Sequence, residues 1–338
     1  MAAKPSFVIT LDTEPDNEWG RPAVATTENA RFVPRFQELC FDRHGFRITY
    51  LLTLEMAEDP FLRDYLRPRL QAGDCEIGAH LHPWNTPPLG PVTPDDMKHH
   101  PYPFEYPLDV QRAKLETLVT AIERNYGVRP VSYKAGRWGL DGPHAQLLED
   151  LGFRVDTSVC PGINWAPSKG DPRRSGGPNF TRAGLLPYRL SATDVCRPGA
   201  MRLWEVPPTI VFYSALGRYV PGVRTLYHRY RRVRRLFDRQ RLGSQWLRPY
   251  PYMTVDRLAR VAALARRAGA DVLNLTFHSS ELMPGGSPYN RTPAAIESLY
   301  ERLDGFFTYL RGQGVQGATL SEIADGLDET PARAAAAS

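Results

Sequence analysis

The chain has 338 residues, 42% of them hydrophobic, so it can bury a sizeable core as one large barrel or as two ordinary domains. Its net charge of +5 is modest, and the sequence has no recognisable nucleic-acid-binding motif. Both observations argue against nucleic acid as a partner. The four cysteines lack both zinc-type spacing and the density of secreted disulfide scaffolds, so we expect reduced thiols. Nothing resembles a secretory signal or the ~18 apolar residues of a membrane span. We therefore expect a soluble cytoplasmic protein.

Short β-type runs alternate with stretches of helical periodicity, which is the pattern of a parallel α/β fold. The predicted strands are Phe7–Asp12, Phe46–Leu52, Cys75–His80, Val131–Lys134, Arg154–Ser158, Leu203–Val206 and Val272–His278. The predicted helices are Asn29–Arg43, Glu55–Gln71, Leu108–Tyr126, Gly142–Leu151, Val255–Ala268 and Pro293–Arg311. Helix ends are expected at four glycines, Gly73, Gly127, Gly152 and Gly269. The alanine-rich tail, 331–338, is expected to be disordered.

Ionisable side chains stand at or just after the downstream ends of most predicted strands. In parallel barrels the loops that follow the strands converge at that end and build the active site. We therefore expect one shared site, rimmed by long insertions at 84–106, 160–201 and 211–252. The candidates in chain order are Asp12, Glu14, Asp16, His80, His82, Lys134, Arg137, Asp156, His278 and Glu281.

Two histidines near the end of the third predicted strand carry the strongest chemical signal. His80 and His82 are two positions apart, so on an extended backbone both imidazoles point the same way. Two neutral imidazoles side by side are half of a divalent-metal site, and Asp12 or Glu14 can supply the rest. The residues thus indicate a metal-dependent hydrolase. The competing interpretations are histidines that merely end a strand and acids that belong to a turn or a helix start.

Five short blocks occur in order between Val8 and Ser279. They are Thr10-Leu11-Asp12-Thr13-Glu14, Glu76-Ile77-Gly78-Ala79-His80, Tyr133-Lys134-Ala135-Gly136-Arg137, Asp156-Thr157-Ser158 and Leu275-Thr276-Phe277-His278. Together they resemble the polysaccharide deacetylases with a NodB-homology domain, and in particular their WalW-like branch. Two positions depart from the usual pattern. Trp84 stands where the family has its second histidine, for which His82 is the substitute, and Lys134 stands where an arginine is usual.

The resemblance implies a distorted (β/α) barrel of about seven parallel strands, with residues 1–330 as a single catalytic domain. It implies one divalent transition metal held by Glu14, His80 and His82, zinc first, with nickel or cobalt as alternatives. Asp12 is then the base and His278 the acid. Lys134 or Arg137 can keep Asp12 ionised through a close opposite charge. Trp84, Trp138 and Asp156 are the candidate substrate contacts. The implied reaction is removal of the acetyl group from an N-acetylated amino sugar that is free, nucleotide-linked or linked to lipid or polysaccharide.

Several alternatives stay open at this point. Asp12 and Glu14 can exchange the roles of base and ligand, and Lys134 and Arg137 can be ordinary ion-pair partners of Asp156 or Glu205. Trp84, Trp138 and Trp165 can stack on a sugar or fill the barrel mouth. His99 and His100 are expected at the surface. The alternative functions are hydrolysis of an amide or imide in a small nitrogen heterocycle and inactive carbohydrate binding; glycoside hydrolysis gives the histidines no role.

The segment 224–241 is rich in arginine with interleaved aromatic residues. It is either a solvated helix face, which can also bind an acidic partner subunit, or a contact for phosphate on a nucleotide sugar, a lipid-linked sugar or a membrane surface. The sequence does not predict the oligomeric state.

Overall fold

A curled, mostly parallel sheet organises the chain in a computed structural model that describes residues 5–20, 22, 24–90, 93–171, 173, 176–216, 220 and 222–329, apart from the side chain of Arg224. The strands are β1 (Ser6–Thr13), β2 (Ile48–Leu52), β3 (Cys75–Leu81), β4 (Ser132–Ala135), β5 (Val155–Asp156), β6 (Tyr188–Arg189), β7 (Trp204–Glu205), β8 (Ile210–Phe212), β9 (Ser244–Trp246), β10 (Val272–His278) and β11 (Gln316–Gly317). Their order in the sheet is β10-β1-β2-β3-β4-β5-β7-β6, with β11 beside the start of β1. Only the β6–β7 pair is antiparallel in this sheet, and β8 and β9 form a separate hairpin. The predicted distorted α/β barrel is confirmed.

Helices cover the sheet. They are α1 (Val33–Gln37), α2 (Leu54–Glu58), α3 (Pro60–Gln71), α4 (Asp96–His99), α5 (Leu108–Tyr126), α6 (Gly142–Asp150), α7 (Val223–Arg229), α8 (Arg231–Arg239), α9 (Val255–Arg267), α10 (Pro293–Gly312) and α11 (Leu320–Asp328). The four glycines predicted to end helices all have positive φ, between 74° and 90°. None of the described helices is both long enough and apolar enough to cross a membrane.

Two predicted helices are interrupted. The one predicted over 55–71 is wrong in its continuity, because Pro60 disfavours helical backbone at Asp59. Asp59 is extended, and its carboxylate accepts a hydrogen bond from the Leu62 amide at 2.7 Å, so α3 starts there as a new helix. The helix predicted over 29–43 consists of a 3₁₀ turn (Glu28–Phe32), α1 and a π-helical turn (Glu38–Arg43). The predicted disordered tail lies outside the described residues.

Strand alternation places many buried polar side chains inside the barrel, in addition to a separate apolar cluster that includes Val8 and Leu51. On β1 the odd-numbered residues Phe7, Ile9 and Leu11 join the main hydrophobic core with the helices. The even-numbered Thr10 and Asp12 belong to the opposite face, and both are buried. The same alternation on the other strands supplies a buried polar set that includes Glu76, His80, Ser132, Lys134, Asp156, Glu205, Asn274 and Thr276. Buried polar groups must find partners inside the protein, so this interior is a hydrogen-bonded network.

The chain closes the gap between the two ends of the sheet without a regular strand. After β7 it crosses to β10, where the Thr209 amide donates to the Asn274 carbonyl at 3.0 Å. The Asn274 amide donates to Thr209 Oγ1 at 2.8 Å, and Asn274 Nδ2 donates to the Val206 carbonyl at 3.2 Å. These bonds join the two ends of the sheet and bring the insertion that carries β8 and β9 alongside β10.

Candidate active site

Strand register brings the predicted residues together at the downstream end of the sheet. Asp12 on β1 is directly beside His278 on β10, and His80 on β3 is directly beside Lys134 on β4. Glu14 follows β1, two positions after Asp12, and His82 follows β3, two positions after His80. At this spacing each side chain points to the same side of the sheet as the residue before it. We call Asp12, Glu14, His80, His82, Lys134 and His278 the floor of the site.

Glu14, His80 and His82 face one another as a set of potential metal ligands. The Nε2 atoms of the two imidazoles are 3.1 Å apart, and Glu14 Oε2 is 3.5 Å from His82 Nε2 and 3.9 Å from His80 Nε2. Ligand atoms about 2.0–2.1 Å from a tetrahedral zinc lie about 3.3 Å from one another, so these spacings fit a common cation. All three residues are buried.

The partners of His80 fix its orientation for a metal. Its Nδ1 lies 3.0 Å from the Lys134 carbonyl, so Nδ1–H donates there and the lone pair of Nε2 faces the site. Burial lowers the pKa of His80 to about 4 and lowers that of His82 well below its ordinary value, so both rings are neutral. Neutral imidazole is the form that binds metals.

The residue that follows β4 packs closely against His82 because it is a glycine, Gly136. A Cβ at Gly136 would lie 2.5 Å from the Leu81 carbonyl oxygen and 2.9 Å from His82 Cδ2. Any larger residue would therefore displace the His82 ring. On its other side His82 stacks on Trp84, with ring centroids 4.3 Å apart.

Glu18 lies behind His82 and was not among the predicted site residues. Its Oε2 is 4.0 Å from His82 Nδ1, and both atoms are buried and have no hydrogen-bond partner among the described residues. A carboxylate at the second ring nitrogen is the common outer partner of a metal-binding histidine. Burial, then the charge of Glu55, raises the pKa of Glu18 to about 7.

Asp12 is held ionised by Lys134. The Lys134 ammonium donates to both carboxylate oxygens, at 2.7 and 2.6 Å, and to Thr276 Oγ1 at 2.8 Å. Burial raises the pKa of Asp12, but the charge of Lys134, which is the largest opposing effect, and its hydrogen bonds leave that pKa below its ordinary value. Lys134 therefore pairs with Asp12 and not with Asp156 or Glu205.

Glu14 differs from Asp12 because no ammonium group donates to it among the described residues. Burial and the negative charges of Glu18 and Asp12 raise the pKa of Glu14 well above its ordinary value. A carboxylate in this position is costly to ionise unless a cation is nearby. The pair of acids thus divides into one with its own cation, Asp12, and one whose charge a metal would balance, Glu14.

His278 is oriented by two charged groups. Its Nδ1 is 3.0 Å from Glu281 Oε1, and Arg248 Nη2 lies 2.9 Å from Nδ1 and 2.5 Å from the same carboxylate oxygen. With Nδ1–H donated to Glu281, Nε2 points towards Asp12 Oδ2 at 3.6 Å and Glu14 Oε1 at 3.8 Å. Burial and Arg248 lower the pKa of His278, whereas Glu281 and Asp12 raise it.

A cavity of about 430 Å³ opens above the floor. This volume falls within the range of roughly 300–1,000 Å³ that is usual for small-molecule sites. All three predicted insertions contribute lining residues. The side chains that surround the floor, which we call the wall, are Glu18, Trp19, Trp84, Met97, Tyr102, Arg137, Trp138, Trp165, Ser168, Trp246, Arg248, Tyr250 and Tyr289.

Two wall residues after β4 have strained backbones. Arg137 and Trp138 both have positive φ, 52° and 64°, which is uncommon for residues other than glycine. Trp138 covers the Lys134 ammonium, which lies 3.9 Å from its ring centroid, and packs 5.3 Å from Trp246. The Arg137 guanidinium lies over the Tyr102 ring at 5.5 Å. Strain of this kind persists where the surrounding structure enforces it, often at functional sites.

Two sequence candidates, Asp156 and Asp16, lie elsewhere. Asp156 is fully buried and pairs in register with Tyr133, one step below Lys134; it accepts hydrogen bonds from the Ser158 amide and hydroxyl and does not line the cavity. Asp16 organises its own loop by accepting from the amides of Glu28 and Asn29. The expectation that His100 is a surface residue is wrong. It is buried, with its ring nitrogens 3.4 Å from Asp96 and 3.6 Å from Asp171.

Sequence reasoning also did not select Arg248 and Trp19, two wall residues that contact His278. Arg248 lies in the insertion at 211–252, where nothing in the local sequence relates it to His278. Trp19 packs edge-on against His278, with centroids 4.7 Å apart. Glu281 was selected from the sequence, and its carboxylate also accepts a hydrogen bond from the His278 amide at 3.1 Å.

Comparison with known proteins finds similarity in structure. A Mycobacterium smegmatis protein assigned as a polysaccharide deacetylase superposes with a TM-score of 0.54 at 18% identity, covering 98% of this chain and 93% of that one. The 4-alpha-glucanotransferase of Thermococcus litoralis superposes with a TM-score of 0.51 at 14% identity, covering 95% of this chain and 40% of that one. The Xyl-CE4 domain of a xylanase from the hindgut metagenome of Trinervitermes trinervoides gives 0.44 at 10% identity, covering 96% and 92%. No family model and no curated protein matches the sequence.

The resemblance drawn from the five sequence blocks is thus confirmed at the level of the fold, whereas the WalW-like branch stays a prediction. The superposition with the Mycobacterium smegmatis structure covers nearly all of both chains. The chain has the fold of the polysaccharide deacetylases.

Proposed function

We propose that the protein is a metal-dependent carbohydrate N-deacetylase that hydrolyses the acetamide of an N-acetylated amino sugar to an amine and acetate. One observation carries this proposal. A buried set of ligands, Glu14, His80 and His82, lies beside an ionised carboxylate, Asp12, and an imidazole, His278, whose Nε2 is 3.6 Å from that carboxylate. Amide hydrolysis needs all three elements, namely a Lewis acid, a base and an acid.

The donor set fits a divalent metal, with zinc preferred and nickel or cobalt as alternatives. Glu14 Oε2 and the Nε2 atoms of His80 and His82 would hold it. Such an ion would polarise the amide carbonyl and lower the pKa of a water molecule in the open position to about 7.

Asp12 would accept the proton of the attacking water. Its carboxylate is ionised because Lys134 pairs with it, and Lys134 also fixes its position through Thr276. His278 would give a proton from Nε2 to the departing nitrogen, since an amine leaves poorly without one. Glu281 stabilises the protonated ring through Nδ1–H, and Arg248 holds Glu281 in place.

The wall supports a sugar as substrate. Rings of Trp19, Trp84, Trp138, Trp246 and Tyr250 line the cavity beside Arg137 and Ser168. Aromatic faces combined with polar groups suit a ring that has one apolar side and several hydroxyl groups. A small nitrogen heterocycle would use the same floor, and it is the second candidate because the aromatic wall also suits a flat ring.

Acetate release from a panel of N-acetyl sugars in free, nucleotide-linked and lipid-linked forms tests the proposal. We expect release from at least one member, loss of release with a chelator and recovery on adding zinc. Release that persists unchanged in metal-free protein would contradict the mechanism. No release from any member, together with ring opening of a cyclic imide, would favour the heterocycle. Tight sugar binding without turnover of either class would favour an inactive binding protein.

A further inference from the structure

We propose that the segment Val223–Leu242, which we call the arginine arm, binds the anionic surface of a lipid bilayer. This inference concerns a surface outside the cavity and does not depend on the reaction proposed above. It has three independent supports, which are the charge of the arm, its exposed apolar side chains and its connection to the cavity wall.

The net positive charge of the protein is concentrated in the arm. The arm contains eight arginines and one aspartate, a formal charge of +7, whereas the whole chain carries +5. Arg231, Arg232, Arg235 and Arg239 on α8 are exposed, and none of them forms an ion pair with the described residues. Several exposed arginines outside the arm instead pair with acids, as Arg35 does with Glu297 at 2.6 Å. The arm therefore leaves its cations available to an external anion.

The arm also exposes apolar side chains among its arginines. Val233 and Phe237 lie on the side of α8 that faces the protein, where Phe237 packs 5.7 Å from the Phe212 ring. Other apolar residues remain in water, with exposed fractions of 60% for Leu236, 47% for Leu226 and Tyr230, and 40% for Leu242. Leucine and tyrosine mixed with arginine are typical of helices that lie in the interface of a bilayer.

This combination selects a bilayer among the possible anionic partners. A nucleic acid would use the arginines through its phosphates, but it would leave the exposed leucines in water. An anionic leaflet attracts basic segments and also accepts apolar side chains below its headgroups. A membrane surface therefore uses both features of the arm, whereas a nucleic acid uses one.

The arm is joined directly to the cavity wall. It lies between β8 and β9, which pair antiparallel from Phe212 opposite Ser244 to Ile210 opposite Trp246. Trp246 ends β9 and lines the cavity, and Arg248 follows it in the wall. A bilayer bound by the arm would therefore lie close to the cavity wall.

Sedimentation of the full-length protein with vesicles tests the proposal, using phosphatidylcholine alone and phosphatidylcholine with phosphatidylglycerol at a ratio of about 3:1. We expect binding to the anionic vesicles only, weakening as salt is raised. The variant R231Q/R232Q/R235Q/R239Q should bind them at least about 30-fold more weakly. A matched control, R67Q/R266Q/R267Q/R291Q, removes four other exposed, unpaired arginines with the same change in net charge and should bind nearly as well as the parent.

A third variant, L226S/Y230S/L236S, keeps every arginine and tests the apolar contribution. We expect its binding to be lost at a salt concentration at which the parent protein still binds, because only the apolar contacts resist screening. Thermal unfolding of each variant establishes that it is folded. Equal weakening by the control variant, binding of neutral vesicles as tight as of anionic ones, or tighter binding of a single-stranded DNA at the same salt would overturn the proposal. Failure of acetate release would leave this result unaffected, so the two proposals can fail separately.

Discussion

The floor and the wall of the cavity are built in different ways. Each floor residue stands on or next to a strand whose neighbours fix it, as Asp12 beside His278 and His80 beside Lys134. The wall comes from loops and insertions outside the main sheet, and many of its contacts are between aromatic rings. This contrast indicates that the positions of the catalytic groups depend on strand register, whereas substrate selectivity depends on the insertions. The largest effects should therefore follow changes in the floor.

Replacing Asp12 by asparagine should cause the largest loss. Asparagine keeps the shape of the side chain but cannot accept the water proton, so kcat should fall by about 10²- to 10⁴-fold while the metal stays bound. Metal content and acetate release are measured on the same preparation. E14Q is the matched control and should lose the metal. Loss of metal in D12N with retention in E14Q would reverse the two roles.

Lys134→Met should shift the pH dependence of the reaction. Burial alone raises the pKa of Asp12, and Lys134 is the largest of the charges that oppose burial. Asp12 works only when ionised, so activity is present above its pKa and is lost as the pH falls through it. Without the ammonium group that pKa rises, and the acidic limb of kcat/KM moves to higher pH. K134R keeps the positive charge and should move the limb less; an unmoved limb in K134M would show that Lys134 does not control Asp12.

Glu18→Gln tests whether a wall residue supports the floor. If the carboxylate holds Nδ1–H of His82, its loss should weaken metal binding by about 10- to 100-fold. Competition with a chelating dye measures this affinity without any assay of turnover. E28Q makes the same change in charge at an exposed glutamate on the neighbouring turn and should leave the affinity unchanged. Equal metal affinities of E18Q and the parent protein would show that Glu18 lines the cavity but does not support the metal site.

Trp84→Leu should have the smallest effect. Loss of one aromatic face beneath a sugar should raise KM by roughly 3- to 10-fold and change kcat less. If Trp84 only packs against His82, KM should stay constant while the unfolding temperature falls. Steady-state kinetics and thermal unfolding of the same sample separate these outcomes.

The sequence predicted best those parts of the molecule that are built from regular secondary structure. The long buried strands β1, β3 and β10 were predicted nearly to their ends, because parallel strands covered on both faces read as apolar runs. All six floor residues were also predicted, since a spacing of two on such a strand determines which side each residue occupies. The alternation of residues along a strand shows which side a residue faces, but not how far along the barrel axis it lies. For this reason Asp156 was expected at the substrate, although it pairs with Tyr133 below the site.

Irregular structure was not predictable from local patterns. The strands predicted over 154–158 and 203–206 are shorter in the structure, where β5 and β7 have two residues each, and the hairpin β8–β9, which lies inside an insertion without clear periodicity, was not predicted. Arg248 reaches His278 only because the crossing at Thr209 brings this insertion next to β10. His100 was misplaced for the same reason, because the loops that bury it between Asp96 and Asp171 are distant in sequence.

Anomalous diffraction at the zinc edge, from crystals of the protein grown with zinc, tests the central claim most directly. The structure predicts one strong peak about 2.0–2.2 Å from Glu14 Oε2, His80 Nε2 and His82 Nε2, with Asp12 still paired to Lys134. A peak at another site, or three side chains turned away from a common centre with no peak among them, would contradict it.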